Sequence, residues 1–214
     1  MKKFYGIVLI LFTIILGGCN SKEDSPEVAL YEIQAAINDR DFKKLSERVD
    51  TEKLFAQIYD DATIELSRDS DIYGKKYPKD PYFQHGGEFL KRYNIEHRNL
   101  HLDFVHKVQA AYFNKVPEPA TPQENPYAYV AHEFSKINAA STASVVNVER
   151  GEKFSVVTVE LQGDSSLLGY FIGRLTFKFG FEKIGDKWIL TKITNVDELT
   201  PTLVDKAELV WINL

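Results

Sequence analysis

The chain has 214 residues, of which 44% are hydrophobic and 27% charged. That balance is globular rather than disordered, and the length suits one ordinary domain with a substantial core. The formal charge of −5 repels phosphate backbones and excludes nucleic acid as an expected partner.

Residues 1–19 divide into three zones. Lys2 and Lys3 give a positive start, and Phe4 to Leu16 form an uncharged apolar stretch interrupted only by Gly6 and Thr13. As a helix, at ~1.5 Å per residue, that stretch falls short of the roughly 30 Å hydrocarbon core of a bilayer. It suits the core of a signal peptide better than a permanent membrane helix. Leu16-Gly17-Gly18-Cys19 follows: an aliphatic residue, two small residues that let a peptidase approach the backbone, then a thiol. The segment resembles the lipobox of bacterial lipoproteins. The resemblance implies that residues 1–18 are a signal peptide, cut before Cys19. It implies diacylglycerol on the Cys19 sulfur and often a further fatty acid, such as palmitate, on the new amino group. One acyl chain holds a protein weakly at a membrane, and two or three hold it stably. The implied location is the cell membrane or outer membrane, with the domain outside the cytoplasm. Asn20 replaces the aspartate that retains such proteins at the inner membrane of diderm bacteria. Residues 19–25 read as a polar, lipidated tether. Losing Lys2 and Lys3 takes the charge from −5 to −7. That charge also repels anionic headgroups and offers no polybasic second anchor. Cys19 is the only cysteine, so the mature domain has no disulfide, thiolate metal site or cysteine nucleophile.

The remainder, residues 26–214, reads as a single domain. Ser25-Pro26-Glu27 is a helix start, followed by Val28, Tyr31, Ala35 and Ile37 as the apolar face. A short helix is predicted from Asp41 to Arg48, with Phe42, Leu45 and Val49 apolar. A third begins at Asp50 or Thr51, with Leu54, Phe55, Ile58, Ala62 and Leu66 at three- and four-residue steps. Residues 70–85 read as irregular, with Tyr73, Tyr77, Tyr82 and Phe83 pinning a long loop to the core or offering a partner surface. Glu88 to Lys115 is the longest predicted helix. Phe89, Tyr93, Leu100, Phe104, Val108 and Ala111 form one apolar face, and Ile95, Leu102 and Phe113 a smaller one. A proline-rich loop and a short helix from Tyr127 to Ile137 follow.

The periodicity then changes to two. Ala143 to Glu149 and Phe154 to Leu161 flank an Arg150-Gly151-Glu152 turn. Leu175, Phe177, Phe179 and Phe181 alternate with polar residues or glycine. Ile184 to Lys187 turns into a strand from Trp188 to Ile193, and short turns mean antiparallel pairing. Gly169 and Gly173 are expected in a strand or its bend. Asp197 to Val210 is expected to be helical, interrupted near Pro201.

Helices first and a strand meander afterwards make an α+β layout. The order is similar to the cystatin-like and nuclear-transport-factor-two-like group, in which a curved antiparallel sheet wraps a long helix. Gly185 to Ile193 resembles the late strand of many exported members. The opening, with Tyr31, Ala35-Ala36-Ile37, Asp41, Leu45 and Val49-Asp50, resembles a family of bacterial exported domains of unknown function.

His97 and His101 share a face of the long helix, which is half of a helical metal pair. The zinc-protease pattern needs a glutamate where Arg98 stands, and no third ligand is fixed among Glu96, Asp103 and His132. The plainer reading is a buried histidine with a core partner, so neither metal nor cofactor is expected. Tyr93, His97 and His101 are the candidate pocket residues. The resemblance implies a second use for such a histidine: proton transfer beside a carboxylate. No P-loop or serine elbow occurs. The leading functional expectation is a membrane-anchored domain that binds a small apolar ligand or an envelope protein. The alternatives are a hydrolase or dehydratase-like enzyme using His97 or His101, and a structural envelope component working through the Tyr73–Phe83 loop.

Overall fold

Ser25 opens the first helix of the computed structural model, which describes residues 24–212. The expected signal peptide, Cys19 and Asn20 lie outside the described residues. The Ser25 hydroxyl accepts from the Val28 N–H and Pro26 starts α1 (Pro26–Asp39). Of the expected face only Ile37 is buried. Ala29, Leu30, Ile33, Ala36 and Ile37 are buried, whereas Val28 and Tyr31 are only half-buried and Ala35 is exposed. Apolar residues run nearly all round α1, so spacing alone does not select the face; packing does.

Asp41 caps α2 (Phe42–Ser46), and Asp50 caps α3 (Thr51–Arg68) by accepting from the Lys53 N–H at 3.0 Å. Leu54, Phe55, Ile58, Ala62 and Leu66 are all buried, as their spacing predicts. The segment expected to be irregular contains α4 (Ser70–Lys76) and a 3-10 turn (Pro81–Phe83). Gly74 disguised α4, yet it is needed there: a Cβ would lie 2.9 Å from the Phe83 carbonyl oxygen. The Tyr73 and Phe83 rings sit 5.0 Å apart and both are buried, so the aromatics do pin this segment.

The long helix, α5, spans Gly87–Phe113. Its buried stripe is Leu90, Asn94, His101, Val105, Val108, Ala111 and Tyr112. Phe89, Tyr93 and Phe104 are half-buried, and Leu100 is exposed. The stripe is displaced because two polar residues, Asn94 and His101, lie inside it, where a hydrophobicity pattern would read surface. α6 (Pro126–Ala139) follows, capped by Asn125.

Four strands form an antiparallel meander in the order β1 (Ser141–Glu149), β2 (Phe154–Gly163), β3 (Arg174–Ile184) and β4 (Lys187–Ile193). Register pairs Val157 with Phe179, Val159 with Phe177 and Leu161 with Leu175, so one row of side chains faces the helices. Bulges at Val145/Asn147 and at Gly180/Phe181 bend the outer pairings and add twist. The α+β expectation holds. The Gly169 region is a short helix, α7 (Leu167–Ile172), rather than a strand. Glycine at 163 and 169 lets two backbones cross where a Cβ on Gly163 would lie 1.8 Å from the Gly169 carbonyl oxygen. The last helix, α8 (Val196–Ile212), runs through Pro201 without a break.

α1 and α3 lie on the sheet, while α5 packs on the far side of α3 and against α6. The antiparallel course of α3 and α5 follows from their pairs: Phe55 meets His106, and Tyr59 meets His101. Between the sheet and α1 and α3 the interior is filled. It leaves a cavity of about 20 Å³ lined by residues including Leu30, Gln34, Phe55, Phe179 and Leu190. Among the described residues, no helix is long and apolar enough to cross a membrane.

Candidate functional site

The four-residue spacing of His85, Phe89, Tyr93, His97 and His101 builds a ladder of rings along α5. Each step of four advances a helical side chain one turn with a small rotation, so successive rings meet. Phe89 and Tyr93 stack at 6.1 Å, Tyr93 and His97 at 4.2 Å, and His97 and His101 at 6.0 Å. His85 approaches Phe89 at 4.7 Å from the segment just before the helix. The same rotation carries the row from an exposed His85 through half-buried Phe89, Tyr93 and His97 to a buried His101. The three residues expected to share a face therefore do so, but they do not line the interior cavity.

His101 is 2% exposed. Its Nδ1 lies 2.8 Å from the Tyr59 hydroxyl, which also stands 2.9 Å from the Asn94 carbonyl oxygen. A carbonyl can only accept, so the single Tyr59 proton goes to Asn94. Nδ1–H of His101 then donates to the Tyr59 oxygen, and this assignment satisfies both contacts. Burial disfavours the imidazolium and pushes His101 down to about 4, with the neighbouring His97 adding in the same direction. At neutral pH the ring is uncharged.

Asn94 is fully buried two turns earlier. Its Oδ1 accepts from the Tyr82 hydroxyl at 3.0 Å, and burial pushes the Tyr82 phenol up to about 12. The Asn94 amide Nδ2 has no hydrogen-bond partner among the described residues. Tyr82 also meets the Tyr93 ring edge-on at 6.3 Å. The pinned segment before α5 is thereby fastened to the ladder. His97 Nδ1 donates to the Tyr93 carbonyl oxygen at 2.9 Å, leaving Nε2 as its outward nitrogen. Arg98, on the adjacent face, grips Asp60 of α3 through two bonds of 2.6 and 2.8 Å.

Tyr59, Asn94 and His85 were not singled out by sequence reasoning, and Tyr82 was read only as one of the aromatics pinning its loop. His85 could have been found by extending the four-residue spacing backwards. Asn94 could have been found as a polar residue on the stripe shared by Leu90 and His101. The Tyr59 and Tyr82 contacts depend on chain pairing and carry no local signal. Among the described residues, no group of three or more His, Cys, Asp or Glu side chains is arranged to hold a metal ion. Chemically, the arrangement offers a row of π-faces that includes the exposed imidazole of His85 and the half-buried one of His97, over a neutral hydrogen-bond network. Compared with protein families, curated proteins and solved structures, the chain has no significant match.

Proposed function

We propose that this chain is a bacterial lipoprotein, anchored through diacylglycerol on Cys19, whose domain works by binding an envelope partner rather than by turnover. The observation that carries the binding part is the way the histidines of α5 are used. His101 is buried, neutral and tied to Tyr59, and His97 is tied to the helix backbone at Tyr93. Proton transfer at neutral pH needs a ring that gains and loses a proton near that pH beside an orienting group. His101 lacks the first property. The cavity between the sheet, α1 and α3, at about 20 Å³, is too small to hold an apolar ligand there, since ligand sites run to roughly 300 Å³ and more. The Tyr73 and Phe83 rings are occupied in packing, which moves support from that loop to the open part of the ladder, Phe89, Tyr93 and His97.

His97→Phe tests this reading against the hydrolase or dehydratase-like alternative. It keeps a ring in the stack and removes both nitrogens. In a cell lacking the native gene, binding predicts that His97→Phe complements as well as wild type. It also predicts that Tyr93→Ala combined with His97→Ala, folded by circular dichroism, does not. A folded His97→Phe protein without activity would contradict it. For the anchor, Cys19→Ser is expected to leave the membrane fraction; unchanged retention would remove the lipoprotein reading.

A further inference from the structure

The first residues of the domain are locked in place. The Asp24 carboxylate accepts from two nitrogens of Arg48, at 2.6 and 3.0 Å, and from the Trp188 N–H at 2.8 Å. The Arg48 side chain is 9% exposed and is also held by Glu32. Bidentate, charge-assisted bonding of this kind fixes geometry as well as contributing energy. Asp24 and Ser25, expected in the tether, are therefore part of the folded body, and only residues 20–23 separate it from Cys19.

We infer that this clamp holds the domain with one end of its sheet against the bilayer; the inference rests on lipidation of Cys19. Cys19 and Asp24 are five residues apart, a distance of at most about 18 Å at full extension. The lipid seats Cys19 at the membrane interface. A folded body of this size has a radius of gyration of about 16 Å. A link of at most about 18 Å is short against the width of such a body, which exceeds twice that radius, and does not let it roll over, so the corner around Asp24 stays membrane-proximal.

That corner can be named. Trp188 leaves the β3–β4 turn, and Lys183 N–H donates to the Lys153 carbonyl at 2.9 Å, which sets the β1–β2 turn beside it. Arg150 of the β1–β2 turn pairs with Glu27 in the first turn of α1. Two hairpin turns and the start of α1 thus form one end of the molecule. It presents Ile184, which is 58% exposed, between Lys183 and Lys187. Lys187 pairs with Glu47 at 3.3 Å and the Lys183 ammonium lies over the Trp188 ring, so exposed Ile184 is the apolar group this end offers to the headgroup level, and the short link sets which end faces the bilayer. The opposite end carries α7, whose Leu167 and Tyr170 are 88% and 85% exposed. The eleven residues of β3 put roughly 35 Å between the two ends. Leu167 and Tyr170 therefore face the aqueous space, away from the lipid.

The lipid consumes the only native thiol, so one introduced cysteine can be labelled selectively in the mature protein. Asp186→Cys and Leu167→Cys are made in the full chain, purified from membranes and labelled with a fluorophore. Each is placed in phosphatidylcholine–phosphatidylglycerol vesicles containing a headgroup-nitroxide lipid. The label at 186 is expected to be quenched several-fold more than the label at 167. A Gly/Ser linker of about 20 residues inserted between Glu23 and Asp24, long enough to reach about 25 Å, is expected to abolish the difference. Equal quenching without the linker, or stronger quenching at 167, would overturn the orientation. Mass spectrometry of the same samples separates the two ideas. A lipidated chain with equal quenching defeats the orientation alone, and an unmodified Cys19 defeats the anchor and the orientation together.

Discussion

His101 shows how a residue type can suggest chemistry while its surroundings assign it a structural task. Burial keeps its ring neutral in the fold down to about pH 4, whereas an unfolded chain protonates near 6.5. Between those values the unfolded state holds the extra proton, so stability falls as pH falls through that window and is recovered above it. The full gap is worth at most about 3 kcal/mol. Urea titrations at pH 7 and pH 4.5 are expected to show a smaller acid loss for His101→Phe than for wild type; parallel losses would count against this account. Tyr59→Phe removes the acceptor of the His101 Nδ1–H in a buried site, with an expected cost of about 1–3 kcal/mol. A change of a few tenths would mean that the Tyr59 contact is not formed in solution.

At the scale of elements, much of the fold was legible. The helix starts at Ser25, near Asp41 and at Asp50 or Thr51, the core face of α3 and the alternation of β3 are local signals; the structure caps these helices with Ser25, Asp41 and Asp50. What was not legible depends on partners distant in sequence. α4 hides behind Gly74, whose place is dictated by the Phe83 backbone. The buried stripe of α5 includes Asn94 and His101 because Tyr59 and Tyr82 supply their hydrogen bonds. Of the site, Tyr93, His97 and His101 were visible from spacing, while the network beneath them was not. α7 shows the same limit, since its turn is enforced by the crossing of Gly163 and Gly169. Gly163→Ala forces those backbones apart and is expected to cost about 3 kcal/mol in denaturant unfolding. Gly185→Ala, where nothing lies within 4 Å of the added Cβ but φ is +61°, is expected to cost about 1 kcal/mol from backbone strain alone. Reversal of that order would refute the crossing as the cause.

For the whole molecule, the layers and the clamp combine into a body with distinct ends. The sheet carries α1 and α3, and α5 with its ring ladder lies beyond α3. The Asp24 carboxylate, held by Arg48, accepts from the Trp188 N–H and so closes the N-terminal end onto β4. A domain so tightly coupled to its first residues suits attachment at a surface, provided that Cys19 carries lipid. Intact-mass analysis of the mature N-terminal peptide from native membranes addresses that condition most directly. The expected result is a chain beginning at Cys19 with the added mass of diacylglycerol on its sulfur; a free thiol there, or a mature terminus elsewhere, would contradict it.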